Sequence, residues 1–87
     1  MLAGLLANSY QRVIYLPMPQ LYDFEVWAAE AVRNLFTEAP AIVAEERWAD
    51  WADYLSSTTT GLQYGVPSSQ GFQDWKSWAT RVYQVMM

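Results

Sequence analysis

The stretch that decides the fold is WADWADYL, residues 48–55, in which two tryptophans lie three positions apart and alanine follows the second. The same pattern of an aromatic residue, two further residues, tryptophan and alanine occurs twice more, as FEVWA at 24–28 and WKSWA at 75–79. A three-residue step places both rings on one side of an α-helix, and the alanine allows another backbone to approach closely. The repeated pattern therefore predicts packed helices and indicates no chemistry of its own.

Three helices are predicted around the three copies of this pattern, over about 21–36, 39–55 and 69–86. In the first helix, apolar residues follow each other in steps of three and one, which forms one apolar face, and Asp23 is a good N-cap. The other two helices alternate steps of three and four, the spacing of a coiled-coil seam, and Ser68 or Ser69 can cap the last one. The sequence thus predicts an all-α fold.

Two segments are predicted to lie outside these helices. Residues 1–20 form an N-terminal arm on the helical domain of residues 21–87, because Pro17 and Pro19 end any regular structure that begins earlier. Residues 56–68 form a long uncharged loop rich in Ser, Thr and Gly. The β-branched and aromatic residues at 10–16 favour a short strand, with a helix that continues to Ile14 as the alternative. Alternating apolar residues leave a second short strand open at 62–66.

The break between the first two predicted helices spans Thr37 to Pro40, and a proline is accepted in the first turn of a helix. The second helix is therefore predicted to begin near this proline. No apolar run in the sequence reaches the roughly 20 residues that a membrane span needs. The first seven residues, MLAGLLA, lack the basic start and the length of a signal peptide.

The composition predicts an apolar surface that meets another chain. Of the 87 residues, 53% are hydrophobic and only 16% are charged, against about 25% charged residues in an ordinary domain. A domain of this size has a small core. Aromatic residues make up 16% of the chain, so some of them are expected to contact a partner. The predicted partner-binding residues are Phe24, Trp27, Trp48, Trp51, Phe72, Trp75 and Trp78.

The chain is predicted not to be an enzyme, and no catalytic, cofactor-binding or metal-binding residue is assigned. It contains no His and no Cys, the commonest general base and the thiolate ligand of metal sites. Motifs for serine catalysis and for phosphate-binding loops are absent from the sequence. The net charge is −4 and the five basic residues are scattered, so direct nucleic-acid binding is not expected either.

An acidic face is predicted on the second helix, because Glu46, Asp50 and Asp53 follow each other in steps of four and three. One helix supplies too few ligands for Mg²⁺ or Ca²⁺, which favours a solvated face or one that opposes a basic partner. The alternative function is therefore a soluble regulatory or inhibitor module that presents residues 38–55 to a basic protein surface. A third possibility is a ligand-binding domain built around the tryptophans.

The segments LPMP (16–19) with FEVWA (24–28), and Pro67 with FQDWKSWA (72–79), resemble small virion structural proteins of tailed bacteriophages. Such proteins combine a proline-containing link with an aromatic-x-x-Trp-Ala helix. The resemblance implies a non-enzymatic assembly protein located in the virion and assembled in the host cytoplasm. Its expected partners are identical copies or larger capsid or tail proteins.

Overall fold

The computed structural model describes residues 16–40 and 43–86. Short 3-10 turns at Pro19–Leu21 and Glu45–Arg47 precede the first two helices. Within the described ranges the chain forms no strand, which confirms the all-α prediction. The helices, in chain order, are α1 (Phe24–Asn34), α2 (Trp48–Ser57), α3 (Thr59–Tyr64) and α4 (Trp75–Met86).

Acidic residues fix where α1 and α4 begin. The Asp23 carboxylate accepts the backbone N–H of Val26 at 3.0 Å, and the Asp74 carboxylate accepts that of Ser77 at 2.8 Å. Such caps satisfy amide groups that have no partner inside the helix. The N-cap predicted at Asp23 is confirmed, whereas α4 begins six residues later than the predicted residue 69, because Asp74 provides the cap that Ser69 was expected to provide.

The predicted start of the second helix near residue 39 is wrong, since α2 begins at Trp48. Pro40 is not in the first turn of α2. It lies before the 3-10 turn at Glu45–Arg47, and its carbonyl oxygen accepts the indole N–H of Trp51 at 3.3 Å. This hydrogen bond places Pro40 beside α2.

The loop predicted over residues 56–68 is also wrong in part, because α2 continues to Ser57 and α3 occupies Thr59–Tyr64. The Thr58 hydroxyl accepts the backbone N–H of Gly61 at 3.0 Å, which caps α3. Gly65 ends α3 with a φ of 72°, a left-handed conformation that glycine adopts readily. The strand considered at 62–66 is therefore excluded by a helix. The one considered at 10–16 lies outside the described residues, apart from its last residue.

The core extends into the segment that was predicted to be an arm. Leu16, Pro17 and Pro19 are buried, and the turn at Pro19–Leu21 packs against α4. The Gln20 side-chain amide donates to the Thr80 hydroxyl at 2.9 Å and joins this turn to α4. Residues 16–20 thus pack with the helical domain. No helix in the described part of the chain is long and apolar enough to cross a membrane.

Candidate functional site

Three tryptophans each donate their indole N–H to the carbonyl oxygen of a proline ten or eleven residues earlier. A buried indole N–H needs an acceptor, and a proline link supplies a carbonyl that no regular backbone ladder uses. The pairs, with their N–O distances, are Trp27–Pro17 (2.8 Å), Trp51–Pro40 (3.3 Å) and Trp78–Pro67 (2.8 Å). The same hydrogen bond therefore occurs once for each copy of the sequence pattern.

The residue directly before each of these prolines is buried. These three residues are Leu16, Ala39 and Val66. The chain thus contains three similar units, residues 16–34, 39–57 (of which 41 and 42 lie outside the described residues) and 66–86. Each unit consists of a buried apolar residue, a proline, a link and a helix that carries the aromatic pattern. The proline link and the helix of one unit are joined by the indole hydrogen bond, so each unit folds back on itself.

The aromatic rings join the three units in a closed cycle. The first ring of each unit contacts the proline-bonded tryptophan of the next unit. The ring centroids are 5.6 Å apart for Phe24–Trp51, 6.2 Å for Trp48–Trp78 and 6.0 Å for Trp75–Trp27. Tilted and edge-to-face pairs at such distances each stabilise a fold by about 0.5–1.5 kcal/mol beyond the burial of their area. The order of contacts, first to second to third to first unit, explains why one pattern occurs three times.

Most of the residues predicted to bind a partner are instead covered by their own chain. Trp48 and Phe72 are only partly buried, so their predicted role in partner binding stays a prediction. Sequence spacing does not distinguish Trp48 and Phe72 from the five other predicted residues. The spacing of apolar residues on a helix is the same whether that face packs against another chain or against another unit of the same chain. The five that lie in the core, each at most 5% exposed, are Phe24, Trp27, Trp51, Trp75 and Trp78.

The predicted acidic face is largely engaged in contacts within the chain. Asp50 forms an ion pair with Arg47, with 3.0 Å between the guanidinium nitrogen and the carboxylate oxygen. Asp53 accepts the backbone N–H of Ser69 at 2.8 Å, which attaches the link of the third unit to α2. Glu46 lies in the 3-10 turn before α2 and is exposed. Among the described residues, no group of three or more carboxylates is arranged to hold a metal ion.

Asp53→Ala is expected to loosen the link at Ser69 without unfolding the protein, because it removes one hydrogen bond at an exposed position. A bond of this kind contributes about 1 kcal/mol to stability. Amide hydrogen exchange measured by NMR is expected to become faster at Ser69 and to stay unchanged in α1. Glu46→Ala is the control. If the Ser69 amide exchanges at the same rate in the wild type, in Asp53→Ala and in Glu46→Ala, the hydrogen bond between Asp53 and Ser69 does not hold the link.

A second acidic region lies where α1 and α4 begin. A depression of about 350 Å³ there is lined by Asp23, Glu45 and Asp74, together with Tyr22, Trp75 and Lys76. The hydrogen bond from the backbone N–H of Ser77 lowers the pKa of the Asp74 carboxyl. Asp23 and Asp74 both act as helix caps, which accounts for their position without a ligand.

Among the residues that the structure describes, seven large apolar side chains are exposed outside this core, between 36% and 71%. Leu21 and Leu62 are the most exposed, at 71% each. Sequence spacing gave no signal for them, because they lie in segments predicted as a helix end and as a loop. The seven are Met18, Leu21, Val26, Tyr54, Leu62, Tyr64 and Val85.

The fold and these surfaces define a small all-α protein with a threefold-repeated aromatic core. Comparisons of the chain with family models, with curated proteins and with solved structures give no match.

Proposed function

We propose that the protein is a non-enzymatic assembly component, a small structural protein of a tailed-phage virion. It binds identical copies or larger capsid or tail proteins. The observation that carries this proposal is the set of seven apolar side chains that are exposed, among the described residues, outside the buried aromatic core. Full burial of an exposed side chain of this kind contributes at most about 1.5–3 kcal/mol, so several of them must be buried together to offset the cost of association.

The binding surface in this proposal differs from the one that the sequence indicated. The tryptophans at the centre hold the fold together, and the outer side chains contact the partner. Trp48 and Phe72 contribute at most their exposed edges. Because the tryptophans that hold the fold together are separate from the side chains that contact the partner, we expect the chain to be folded before it enters the assembly.

The chemistry of the chain supports the non-enzymatic part of the proposal. The carboxylates of Asp23 and Asp74 cap helices, and Asp53 attaches a link. Histidine and cysteine are absent from the sequence. These carboxylates therefore have structural roles, which do not require them to act as acids or bases in a reaction.

The direct test is the amount of the chain in purified particles. Particles of the phage that encodes the chain are separated on a density gradient, washed at high salt and analysed by quantitative mass spectrometry. A constant copy number per particle that survives the wash is expected. If the chain is found only in the soluble fraction of the lysate, the proposed location is wrong. A Leu21→Asp variant is expected to reduce the copy number, whereas Ala29→Asp, at an exposed alanine, is the control.

A second candidate is the regulatory or inhibitor module that presents acidic residues to a basic protein. The observation that favours it is a further depression of about 380 Å³, lined by Glu45, Glu46 and Asp74 together with Trp48 and Trp75. Binding through these carboxylates is expected to weaken as the salt concentration rises. At physiological ionic strength, salt already screens the interaction between exposed charges that are more than about 8–10 Å apart. A partner affinity that does not change with ionic strength would rule this candidate out.

A further inference from the structure

We infer that the depression between the 3-10 turn at Glu45–Arg47 and the start of α4 binds an arginine side chain of a partner protein. A backbone carbonyl of the same partner segment accepts the indole N–H of Trp75. This inference rests on the second candidate function and deepens it, because it names the chemical group that the acidic surface binds. It is argued from an indole donor without an acceptor, from unpaired carboxylates and from the half-buried ring of Trp48.

Two of the five tryptophans have an indole N–H without an acceptor in the described part of the chain. Trp27, Trp51 and Trp78 donate to proline carbonyls, whereas Trp48 and Trp75 do not. These two hold the first aromatic position of the second and third units, and both line the depression. The depression therefore contains the two indole groups that the proline bonds do not use.

The free N–H of Trp75 opens towards this acidic surface. Trp75 is only 5% exposed, yet no fully buried side-chain nitrogen or oxygen atom in the described ranges lacks a hydrogen-bond partner. The indole nitrogen therefore belongs to the small exposed part of Trp75. That part lines the depression and the adjoining one of about 350 Å³, which share Glu45, Asp74 and Trp75.

The core does not require an N–H at this position. In the first unit the same position is occupied by Phe24, which packs against Trp51 and Trp75 through its ring alone. The indole of Trp75 therefore adds a donor that ring packing does not explain. A donor fixed by a buried ring is already oriented for a ligand, so little conformational entropy is lost on binding.

The carboxylates around this donor favour a cation. Glu45 and Glu46 are exposed, and neither forms an ion pair or a hydrogen bond with another described residue. Asp74 uses one carboxylate oxygen to cap α4. Lys76 lines the adjoining depression, and its Nζ lies 5.8 Å from the centroid of the Trp75 ring. One lysine does not balance these carboxylates, so the surface attracts a further positive charge.

A ligand that matches both features carries an acceptor and a positive charge. An anion would accept the indole N–H but would be repelled by the carboxylates, and a metal ion or a simple amine would leave the N–H without an acceptor. A protein segment with a basic residue meets both requirements, because its backbone carbonyl is the kind of acceptor that three other indoles of this chain use.

The geometry points to arginine as that basic residue. A guanidinium donates two parallel hydrogen bonds to a carboxylate and stacks on tryptophan rings, whereas an ammonium acts as a compact point charge. The depression offers both contacts, since it is lined by two glutamates and by the partly exposed ring of Trp48. Its volume of about 380 Å³ is within the range of ligand sites and is large enough for one long side chain.

The test is an NMR titration of the full chain, labelled with nitrogen-15, with N-acetyl-arginine amide. This compound carries a guanidinium and amide carbonyls. The indole N–H signal of Trp75 is expected to shift, with a dissociation constant of about 1 mM, the order expected for so small a ligand. The indole signals of Trp27, Trp51 and Trp78 are expected to stay in place, because their N–H groups are already bonded.

Two further compounds separate the two requirements. N-acetyl-citrulline amide keeps the carbonyls and replaces the guanidinium by a neutral urea, and ethylguanidine keeps the cation but has no carbonyl. Both are expected to bind about tenfold more weakly than N-acetyl-arginine amide. If ethylguanidine binds equally well, the site takes a simple cation and the inference is wrong. Equal binding of the citrulline compound would also overturn it, because charge would then play no part.

Two variants test the assigned groups. Trp75→Phe removes the indole N–H at a position where Phe24 shows that a phenylalanine packs, and the double variant Glu45→Gln/Glu46→Gln removes two charges. Each is expected to raise the dissociation constant of N-acetyl-arginine amide about tenfold, measured from backbone amide signals. Glu38→Gln, at an exposed acid that lines neither depression, is the control and is expected to bind like the wild type. Circular dichroism establishes that each variant is folded.

The inference is overturned if the Trp75 indole signal does not shift up to about 20 mM of N-acetyl-arginine amide, or if the double variant binds like Glu38→Gln. These results are distinguishable from failure of the candidate function. If a basic protein binds Trp75→Phe as tightly as the wild type with a salt-dependent affinity, the inference alone is removed. If N-acetyl-arginine amide binds as expected but the affinity of the protein partner ignores salt, the candidate function alone is removed.

Discussion

Trp78→Ala is expected to lower the free energy of unfolding by about 3–5 kcal/mol, the range for large core aromatic residues. Trp78 is completely buried, and its ring contacts those of Trp27, Trp48 and Trp51. Its indole N–H donates a hydrogen bond to the carbonyl oxygen of Pro67. Removal of the side chain leaves a cavity at the point where all three units meet. Small domains have total stabilities of about 5–15 kcal/mol, so most of the stability is expected to be lost.

Urea unfolding followed by circular dichroism measures this effect. Trp48→Ala is the matched control, because Trp48 belongs to the same cycle but is only partly buried and, among the described residues, has one ring contact, with Trp78. A clearly smaller destabilisation is expected for the control. If the two variants lose equal stability, Trp78 is not the centre of the core.

Gly61→Ala is expected to destabilise the protein by about 3 kcal/mol, the upper end for overpacking. A methyl group at this position would be 1.9 Å from the backbone oxygen of Leu55, so α3 must move away from α2. Because the obstacle is backbone, no change of side-chain rotamer relieves it.

Gly65→Ala is the control for this prediction. Gly65 has a positive φ of 72°, but nothing lies within 4 Å of an added methyl group. The expected loss is therefore only the backbone strain of a left-handed residue, about 1 kcal/mol. Thermal and urea unfolding of both variants measure the difference. A Gly61→Ala variant as stable as Gly65→Ala would contradict the close contact between α2 and α3.

The sequence predicted the all-α fold because the aromatic pattern is local and repeated. Steps of three and four residues identify the buried side of a helix, and they did so for the segments around Trp27, Trp51 and Trp78. They do not identify where a helix begins. Ser69 and Asp74 are both acceptable caps by residue type. The helix that begins after Asp74 is also held by the hydrogen bond from the Trp78 indole to the Pro67 carbonyl oxygen, eleven positions earlier. Such a contact is not visible in a local pattern.

The helix α3 was missed for a different physical reason. Threonine and glycine are weak helix formers, so the local sequence TTGLQY favours a loop. The helix forms because Thr58 caps it and because Gly61 fits against the end of α2. Tertiary packing therefore overrides helix propensity in α3.

The candidate site was predicted less well than the fold. An excess of aromatic residues indicated a partner surface, because a small core was expected to be unable to hide so many rings. The closed cycle of ring contacts, together with the proline carbonyls that accept the indole N–H groups, allows one chain to bury five of the seven. The exposed positions such as Leu21 and Leu62 depend on the final arrangement of the helices, which sequence spacing does not provide.

The central claim is that a single chain covers its own tryptophans and that proline carbonyls hold three of them. Hydrogen exchange of the five indole N–H groups, measured by NMR at a concentration where the chain is monomeric, tests it most directly. Trp27, Trp51 and Trp78 are expected to exchange much more slowly than an exposed indole, with Trp48 the fastest of the five. If protection of these three appears only as the concentration rises, neighbouring chains cover the rings, and the account is wrong.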